Sequence, residues 1–127
     1  MIGPIVIQEL ITIDSATTTY RQATPVGVAS LQDLVVTVDT RGVSAQGGTL
    51  TVFLDTSPDQ DESHFVPMVT AGTTLTQNTV QTVKVLLTQA DQPVQRWVRW
   101  RIVLTGGALP WSATFCIVAA GNPSGGR

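Results

Sequence analysis

The chain has 127 residues, of which 43% are hydrophobic and only 13% charged, and its formal net charge is −2. This length fits one domain, and the lack of a basic excess argues against a nucleic-acid binder, which would present a basic patch. No run approaches the roughly 20 apolar residues of a membrane-spanning helix, and the N-terminus lacks the basic region and cleavage site of a signal peptide. We therefore expect neither nucleic acid nor a membrane as a partner.

The low charge content is unusual, since soluble domains carry about 25% charged residues. Thr, Ser and Gln occupy the polar positions instead. Two explanations stay open: a monomer with a Thr-rich exterior, or an exterior partly covered by neighbours in an assembly, where charges would be costly to desolvate. The one cysteine, Cys116, excludes an internal disulfide and fits a small core or sheet residue.

The first half of the chain shows two-residue alternation of apolar and polar residues, which predicts strands rather than helices. Residues 17–23 predict a second, more polar strand. Residues 1–13 form either the first strand of the domain or an arm that adds a strand to a neighbouring subunit. On this segment Glu9 interrupts one apolar face, which consists of Ile5, Ile7, Ile11 and Ile13.

A third strand is predicted at residues 34–39, and a turn is predicted at Arg41-Gly42. The next strand follows Gly47-Gly48 and directs alternate apolar residues, Val52 among them, toward the core. It stops at the sequence Ser57-Pro58-Asp59, because proline presets φ for a turn and aspartate can bond its own backbone.

In the second half, residues 64–69 predict a short strand whose Pro67 favours a sheet edge or a bulge. Strands at 79–88 and 95–104 follow. Gly106-Gly107 then predicts a hairpin into a final strand that starts at Trp111.

About eight strands with short loops predict an all-β fold, a single antiparallel β-sandwich or jelly roll. We divide the chain into an N-terminal strand or arm (1–13), the sandwich domain (14–121) and a flexible C-terminal tail (122–127). The predicted core is centred on Val36, Val52, Val85, Trp100 and Phe115.

The sequence offers no convincing catalytic or metal site. The acidic residues Asp55, Asp59, Asp61 and Glu62 could supply oxygen ligands, but they lack the spacing of a calcium loop and fit a solvated hairpin tip. Ser63 and His64 would face opposite sides of a strand and could not act as nucleophile and base. We therefore expect a protein that is not an enzyme and has no cofactor.

The most suggestive cluster is Trp97, Arg99 and Arg101, which alternate along one predicted strand and should share a face. Arginine can stack on tryptophan or bind a carboxylate, and both residue types are enriched at interfaces. The alternative is an outer sheet face where arginine stems cover a tryptophan. A sugar platform would need exposed rings, for which Trp97, Phe53 and Tyr20 are the candidates. The predicted interface residues are Ile5, Ile7, Ile11, Ile13, Trp97, Arg99 and Arg101.

The order of four segments, LVVTVDT, TLTVFLDTSPD, RWVRWRIVLTGG and PWSATFCIVAAG, resembles small β-sandwich structural proteins of bacteriophage virions, including head decoration and accessory proteins. The resemblance covers residues 31–121 and leaves the N-terminal arm outside. Gln60 stands where a glycine is expected after the Ser-Pro-Asp turn, and Phe65 stands near the place of an expected tryptophan.

The resemblance implies a non-enzymatic virion protein, assembled in the host cytoplasm, that decorates a capsid as a cement protein and bridges major capsid subunits. Its partners would then be other virion proteins, and it would be a small homo-oligomer. Two alternatives remain open: a tail, baseplate or neck accessory protein, and a carbohydrate-binding adhesion module.

Overall fold

The structure is a computed structural model and describes residues 2–28, 31–68, 72–85 and 94–123. A single turn of 3-10 helix, Glu62–His64, interrupts an otherwise all-strand architecture in this part of the chain. The strands described are β1 (Ile2–Ser15), β2 (Thr19–Arg21), β3 (Val26–Gly27), β4 (Leu31–Ser44), β5 (Thr49–Ser57), β6 (Val66–Pro67), β7 (Thr73–Thr74), β8 (Thr79–Val85), β9 (Trp97–Thr105) and β10 (Trp111–Pro123).

The strands form two antiparallel sheets that pack into a sandwich. The first sheet has the order β1-β10-β4-β8, and the second has the order β2-β9-β5-β6, with β3 beside β9 and β7 beside β5. Early strands pair with late ones: β1 with β10, β2 with β9, β4 with β8 and β5 with β6. A long antiparallel hairpin rolled into two sheets gives this order, which is a jelly roll. The predicted all-β sandwich is confirmed, and its strand order is that of a jelly roll.

The core lies between the sheets and forms because alternate residues of each strand point inward. The Trp100 ring is 1% exposed, and its centroid lies 5.0 Å from that of Phe115 in an edge-to-face contact. Tyr20 stacks on Trp100, with 5.8 Å between ring centroids. Four predicted core residues, Val36, Val52, Trp100 and Phe115, are buried as expected, and the side chain of Val85 lies outside the described part.

The N-terminal segment is a strand of the chain's own first sheet, because β1 pairs with β10 along most of its length. Irregularities in the pairing between Val6 and Ile11 turn the side chain of Gln8 inward, where its Oε1 accepts a hydrogen bond from Trp100 Nε1 at 3.0 Å. These bulges explain the interruption of the apolar face at Glu9, which is exposed. Strand β10 continues to Pro123. Residues 124–127 of the predicted tail lie outside the described residues.

The turn predicted at Arg41-Gly42 is wrong, since β4 continues to Ser44. Gly42 pairs with Thr114 of β10 within the sheet, next to a register shift at which β4 carries the extra residue Arg41, and this shift breaks the alternation. The turn falls instead at residues 45–48, where Gln46 and Gly47 take positive φ angles of 51° and 88°.

The hairpin predicted across Gly106-Gly107 is also wrong, because β9 lies in the second sheet and β10 in the first. The connection crosses from one sheet to the other and packs on the turn at 45–48. A Cβ on Gly107, whose φ is +68°, would lie 2.4 Å from the carbonyl oxygen of Ala45. Glycine is therefore required there for close approach as well as for its backbone conformation.

The strand predicted at 64–69 is present only at Val66–Pro67 in the described residues. His64 ends the short 3-10 helix, and only Val66–Pro67 pairs with β5. The described part of this segment stops at Met68, so Val69 lies outside it. The prediction that Pro67 marks an edge is confirmed, because β6 is the terminal strand of the second sheet and proline cannot donate to a further neighbour.

Candidate functional site: an arginine–carboxylate cluster

Trp97, Arg99 and Arg101 share the outer face of the second sheet, because they alternate with the core-facing residues of β9. Their cross-strand partners on β5 are Ser57 for Trp97, Asp55 for Arg99 and Phe53 for Arg101. Residues directly opposite each other in an antiparallel pair project to the same side. The outer face therefore brings two arginines next to one aspartate.

Asp55 is the centre of this cluster and is only 3% exposed. Its Oδ2 accepts a hydrogen bond from Arg101 Nε at 3.1 Å, and its Oδ1 accepts one from Arg101 Nη2 at 3.3 Å. Arg99 is also buried, at 5% exposure, but its Nε lies 3.7 Å from Asp55 Oδ2 and has no hydrogen-bond acceptor. One buried carboxylate thus faces two guanidinium groups and forms hydrogen bonds with only one of them.

Two phenylalanines complete the cluster. The guanidinium carbon of Arg99 lies 4.2 Å from the Phe65 ring centroid, and that of Arg101 lies 4.5 Å from the Phe53 centroid. Such contacts favour a cation over the ring face. The arginines thus stack on phenylalanines, whereas the Trp97 ring lies against Gly27, where an added Cβ would meet it at 3.4 Å.

The aromatic rings proposed for sugar binding are not fully exposed. Trp97, Phe53 and Tyr20 are each half-buried, and Phe53 and Tyr20 are engaged by Arg101 and Trp100. A stacking platform needs a free ring face. The described residues therefore give the carbohydrate-binding alternative no specific support.

A polar loop after β5 closes the cluster through consecutive side-chain-to-backbone turns. Ser57 Oγ accepts the N–H of Asp59 at 3.2 Å, and Asp59 Oδ1 accepts the N–H of Asp61 at 2.9 Å. Asp61 Oδ1 in turn accepts the N–H of Ser63 at 3.0 Å. Such turns replace regular secondary structure with local bonds, and they explain why this acidic stretch is not a plain hairpin tip.

The loop folds Glu62 back over the outer face of the sheet. Its Oε2 accepts a hydrogen bond from Arg99 Nη1, and its Oε1 lies 3.7 Å from Arg21 Nε. The Glu62 side chain nevertheless stays 70% exposed. Sequence reasoning missed Glu62 and Phe65 as partners of Arg99, because only the loop conformation brings them there.

The cluster surrounds a depression of about 280 Å³. We call it the arginine depression; it is lined by Arg21, Asp55, Glu62, Phe65, Pro67, Arg99 and Arg101. Three arginines against two carboxylates leave one positive charge in excess. Its chemistry suits the binding of an anion rather than proton transfer.

Ser63 and His64 do not form a nucleophile–base pair. The Ser63 hydroxyl donates to Asp61 Oδ1 at 2.7 Å, and His64 Nδ1 donates to Asp59 Oδ2 at 2.8 Å. The Asp59 carboxylate raises the pKa of His64 above its ordinary value of 6.5, first through this hydrogen bond and then through its charge. The Asp61 N–H and His64 lower the pKa of Asp59 below 3.8.

These pKa shifts predict a pH-dependent loop. Because the pKa of His64 is raised on folding, its stabilising contribution is complete below pH 6.5 and is lost as the pH rises through the folded-state pKa. We expect NMR titration to place the His64 midpoint above 6.5, and Asp59→Asn to bring it down. Asp14→Asn on the distant β1 should leave the midpoint unchanged. An identical downward shift in both variants would contradict the assignment to Asp59.

The four acidic residues do not converge on one point. Asp55 is buried under the arginines, while Asp59, Asp61 and Glu62 each accept bonds from within the loop or from Arg99. Among the residues that the structure describes, no group of three or more His, Cys, Asp or Glu side chains is placed to hold a metal ion.

The predicted interface isoleucines face the interior. Ile7 and Ile13 are buried at 2% and 6% exposure, and Ile5 and Ile11 pack against the same core while partly exposed. On the outside of β1, Val6 and Leu10 are 50% and 57% exposed. The structure brings the isoleucines together in the core, separate from the arginine cluster of the second sheet.

Comparison with known proteins gives a match of fold. No protein-family model matches the chain, and no curated protein matches its sequence. No helix within the described ranges has the length and apolar character needed to cross a membrane. In the structure of infectious bursal disease virus Gt strain, a chain aligns with 92% of this chain at 17% identity, with a TM-score of 0.51. A chain in the structure of the Gx strain aligns with the same share at 14% identity and a TM-score of 0.49. This protein spans 32% of the length of each of those chains.

Proposed function

We propose that this protein is a virion structural protein that acts through protein–protein contacts and catalyses no reaction. The jelly-roll order of its strands carries the proposal, because double-sheet jelly rolls are a recurrent architecture of viral capsid domains. The likeness in fold to a chain of infectious bursal disease virus Gt strain supports it. The low charge content, 13% of residues, suits a surface that is covered in an assembly.

One end of the sandwich is the best candidate for such a contact. Four turns, 16–18, 45–48, 75–78 and 106–110, contain no charged residue. Backbone hydrogen bonds place them at the same end of the sandwich. Ala108 donates to Gln46 at 3.1 Å, Leu104 at the end of β9 donates to Thr18 at 2.7 Å, and Leu75 donates to Leu50 at the start of β5 at 2.9 Å. Leu109 is 45% exposed there. We call these turns the uncharged end; covering it would desolvate no charge.

The specific role we propose is that of a capsid decoration protein from a bacteriophage, which binds and bridges major capsid subunits as a small homo-oligomer. The resemblance of residues 31–121 to small β-sandwich proteins of bacteriophage virions, head decoration proteins among them, supports this role, and a tail, baseplate or neck accessory protein is the alternative. Many modest contacts repeated over a shell give strong overall binding without a single tight site.

A contact through β1 would use its backbone. The side chains of Ile7 and Ile13 are buried in the chain's own core, whereas β1 is the terminal strand of the first sheet as described. An unpaired edge can add a strand from a neighbouring subunit. The predicted role of the N-terminal isoleucines thus becomes a proposal about the edge that they anchor.

The test uses shells assembled from a genome that lacks the gene for this chain. Purified protein should co-sediment with them at a fixed number of copies per capsid subunit. Leu109→Lys should weaken that binding by about tenfold or more, because it buries an unpaired charge. Val66→Lys is the matched control, since Val66 is similarly exposed, at 39%, but lies at the opposite end of β5. No co-sedimentation at saturating protein would overturn the decoration role.

A further inference from the structure

We propose that the arginine depression is a carboxylate-binding site, that Glu62 fills it in the free protein, and that its ligand is an acidic side chain of another protein. This inference goes beyond the virion role and does not rest on it. It rests on the burial and bonding of Arg99, on the position of Glu62 and on the charge of the depression.

Arg99 has unused hydrogen-bonding capacity. Its side chain is only 6% exposed, and its Nε has no hydrogen-bond acceptor. The nearest oxygen of Asp55, Oδ2, lies 3.7 Å away, beyond hydrogen-bond distance. A buried donor without an acceptor is costly, so a second carboxylate in the depression would be stabilised by Arg99.

A carboxylate of the chain itself already occupies the depression. Glu62 reaches Arg99 with one oxygen and Arg21 with the other. It does so from a 3-10 turn in which no residue is buried. An exposed side chain on such a turn can leave its partner at little cost, so the place that it occupies can be taken by another carboxylate.

The shape of the depression favours a carboxylate on an aliphatic stem over a phosphate. Phe65 and Pro67 form apolar walls, which suit the methylene groups of a glutamate or aspartate side chain. Phe65 beneath the Arg99 guanidinium leaves its edge available for the paired hydrogen bonds that arginine makes with carboxylates.

Glu62 acts as an internal competitor. A tethered group competes at a high effective concentration, so the affinity for an external ligand falls by the fraction of time that the site is free. Removing the charge of Glu62 while keeping its shape should therefore strengthen external binding. A purely structural ion pair predicts the opposite, since its loss would only loosen the loop.

The experiment is an NMR titration of the arginine Nε–Hε signals in the purified chain. The probe is the capped peptide Gly-Glu-Gly, and the matched neutral peptide is Gly-Gln-Gly. In Glu62→Gln the Arg99 signal should shift saturably with the Glu peptide, about tenfold more tightly than in the unmodified protein. The Gln peptide should cause no shift. Arg41, which pairs with Asp39 on the first sheet, reports any nonspecific effect and should not move.

Three results would overturn the proposal. The first is a Glu62→Gln variant that binds the Glu peptide no more tightly than the unmodified protein does. The second is an equal response to the two peptides, or an equal response of Arg41. The third is displacement of the Glu peptide by an equal concentration of inorganic phosphate. Binding should also shift the signal of Arg21, which lines the same depression, and Arg99→Lys should abolish that Arg21 shift. The thermal unfolding of Arg99→Lys is recorded alongside; if that variant is unfolded, the comparison of Glu62→Gln with the unmodified protein decides.

Discussion

Asp55→Ala is expected to lower the free energy of unfolding by about 3–5 kcal/mol, because it removes one partner from a buried ion pair. The carboxylate is 3% exposed and is bonded by Arg101 and approached by Arg99. Without it, two guanidinium groups would stay beneath the loop with no buried counter-charge. Urea unfolding followed by tryptophan fluorescence measures the loss.

Two comparisons make this prediction specific. Asp39→Ala removes a carboxylate that is bound by Arg41 through Nε at 3.0 Å and Nη2 at 3.1 Å, a similar two-bond geometry at an exposed site. Solvent screens that pair, so we expect no measurable loss. Adding Arg101→Met to Asp55→Ala should restore part of the stability by removing one unpaired charge. Equal losses at Asp55 and Asp39 would show that burial does not determine the effect.

Trp100→Ala is expected to lower the free energy of unfolding by about 3–5 kcal/mol, because the substitution leaves a cavity in the core. The ring packs against both Phe115 and Tyr20. Its Nε1 also donates to Gln8 Oε1, so the substitution leaves the inward-turned amide of Gln8 without this donor. The loss is read from the denaturation midpoint at constant slope.

Trp97→Ala on the same strand is the matched control for Trp100. Its ring is half-buried on the outer face and rests on Gly27 rather than in the core. Water can fill the space that the truncated side chain leaves, so we expect a clearly smaller loss in the free energy of unfolding. Comparable losses for the two tryptophans would contradict the division of β9 into a core face and an outer face.

Alternation of side chains was sufficient to predict most strands and their buried faces, but it could not predict their neighbours. A period of two says which face of a strand is apolar and leaves open which strand pairs with it. The sequence from Trp97 to Ile117 therefore fits a hairpin as well as two strands on opposite walls of one core. Only the required approach of Gly107 to Ala45 distinguishes them, and that contact spans 62 residues.

The candidate site, too, could be predicted from the sequence only in part. Alternation predicted that Trp97, Arg99 and Arg101 share a face. The partner Asp55 could be identified only through the register between β5 and β9. Glu62 required the conformation of the loop, which depends on three successive side-chain bonds. Bulges account for the remaining difference, since β1 and β4 each carry an irregularity that period-two reasoning does not anticipate.

The pairing of β1 with β10 has a consequence for how the chain folds as it is synthesised. β10 lies between β1 and β4 in the first sheet, and residue Ile13 pairs with Ala113. When β1 leaves the ribosome, about 100 residues must still be synthesised before its partner strand is complete. Until then the isoleucine face of β1 is exposed to water or to other nascent chains. Contacts between distant segments also slow folding. The first sheet is therefore completed late in synthesis, and a chain that ends before β10 would leave β1 and β4 with unpaired, aggregation-prone edges.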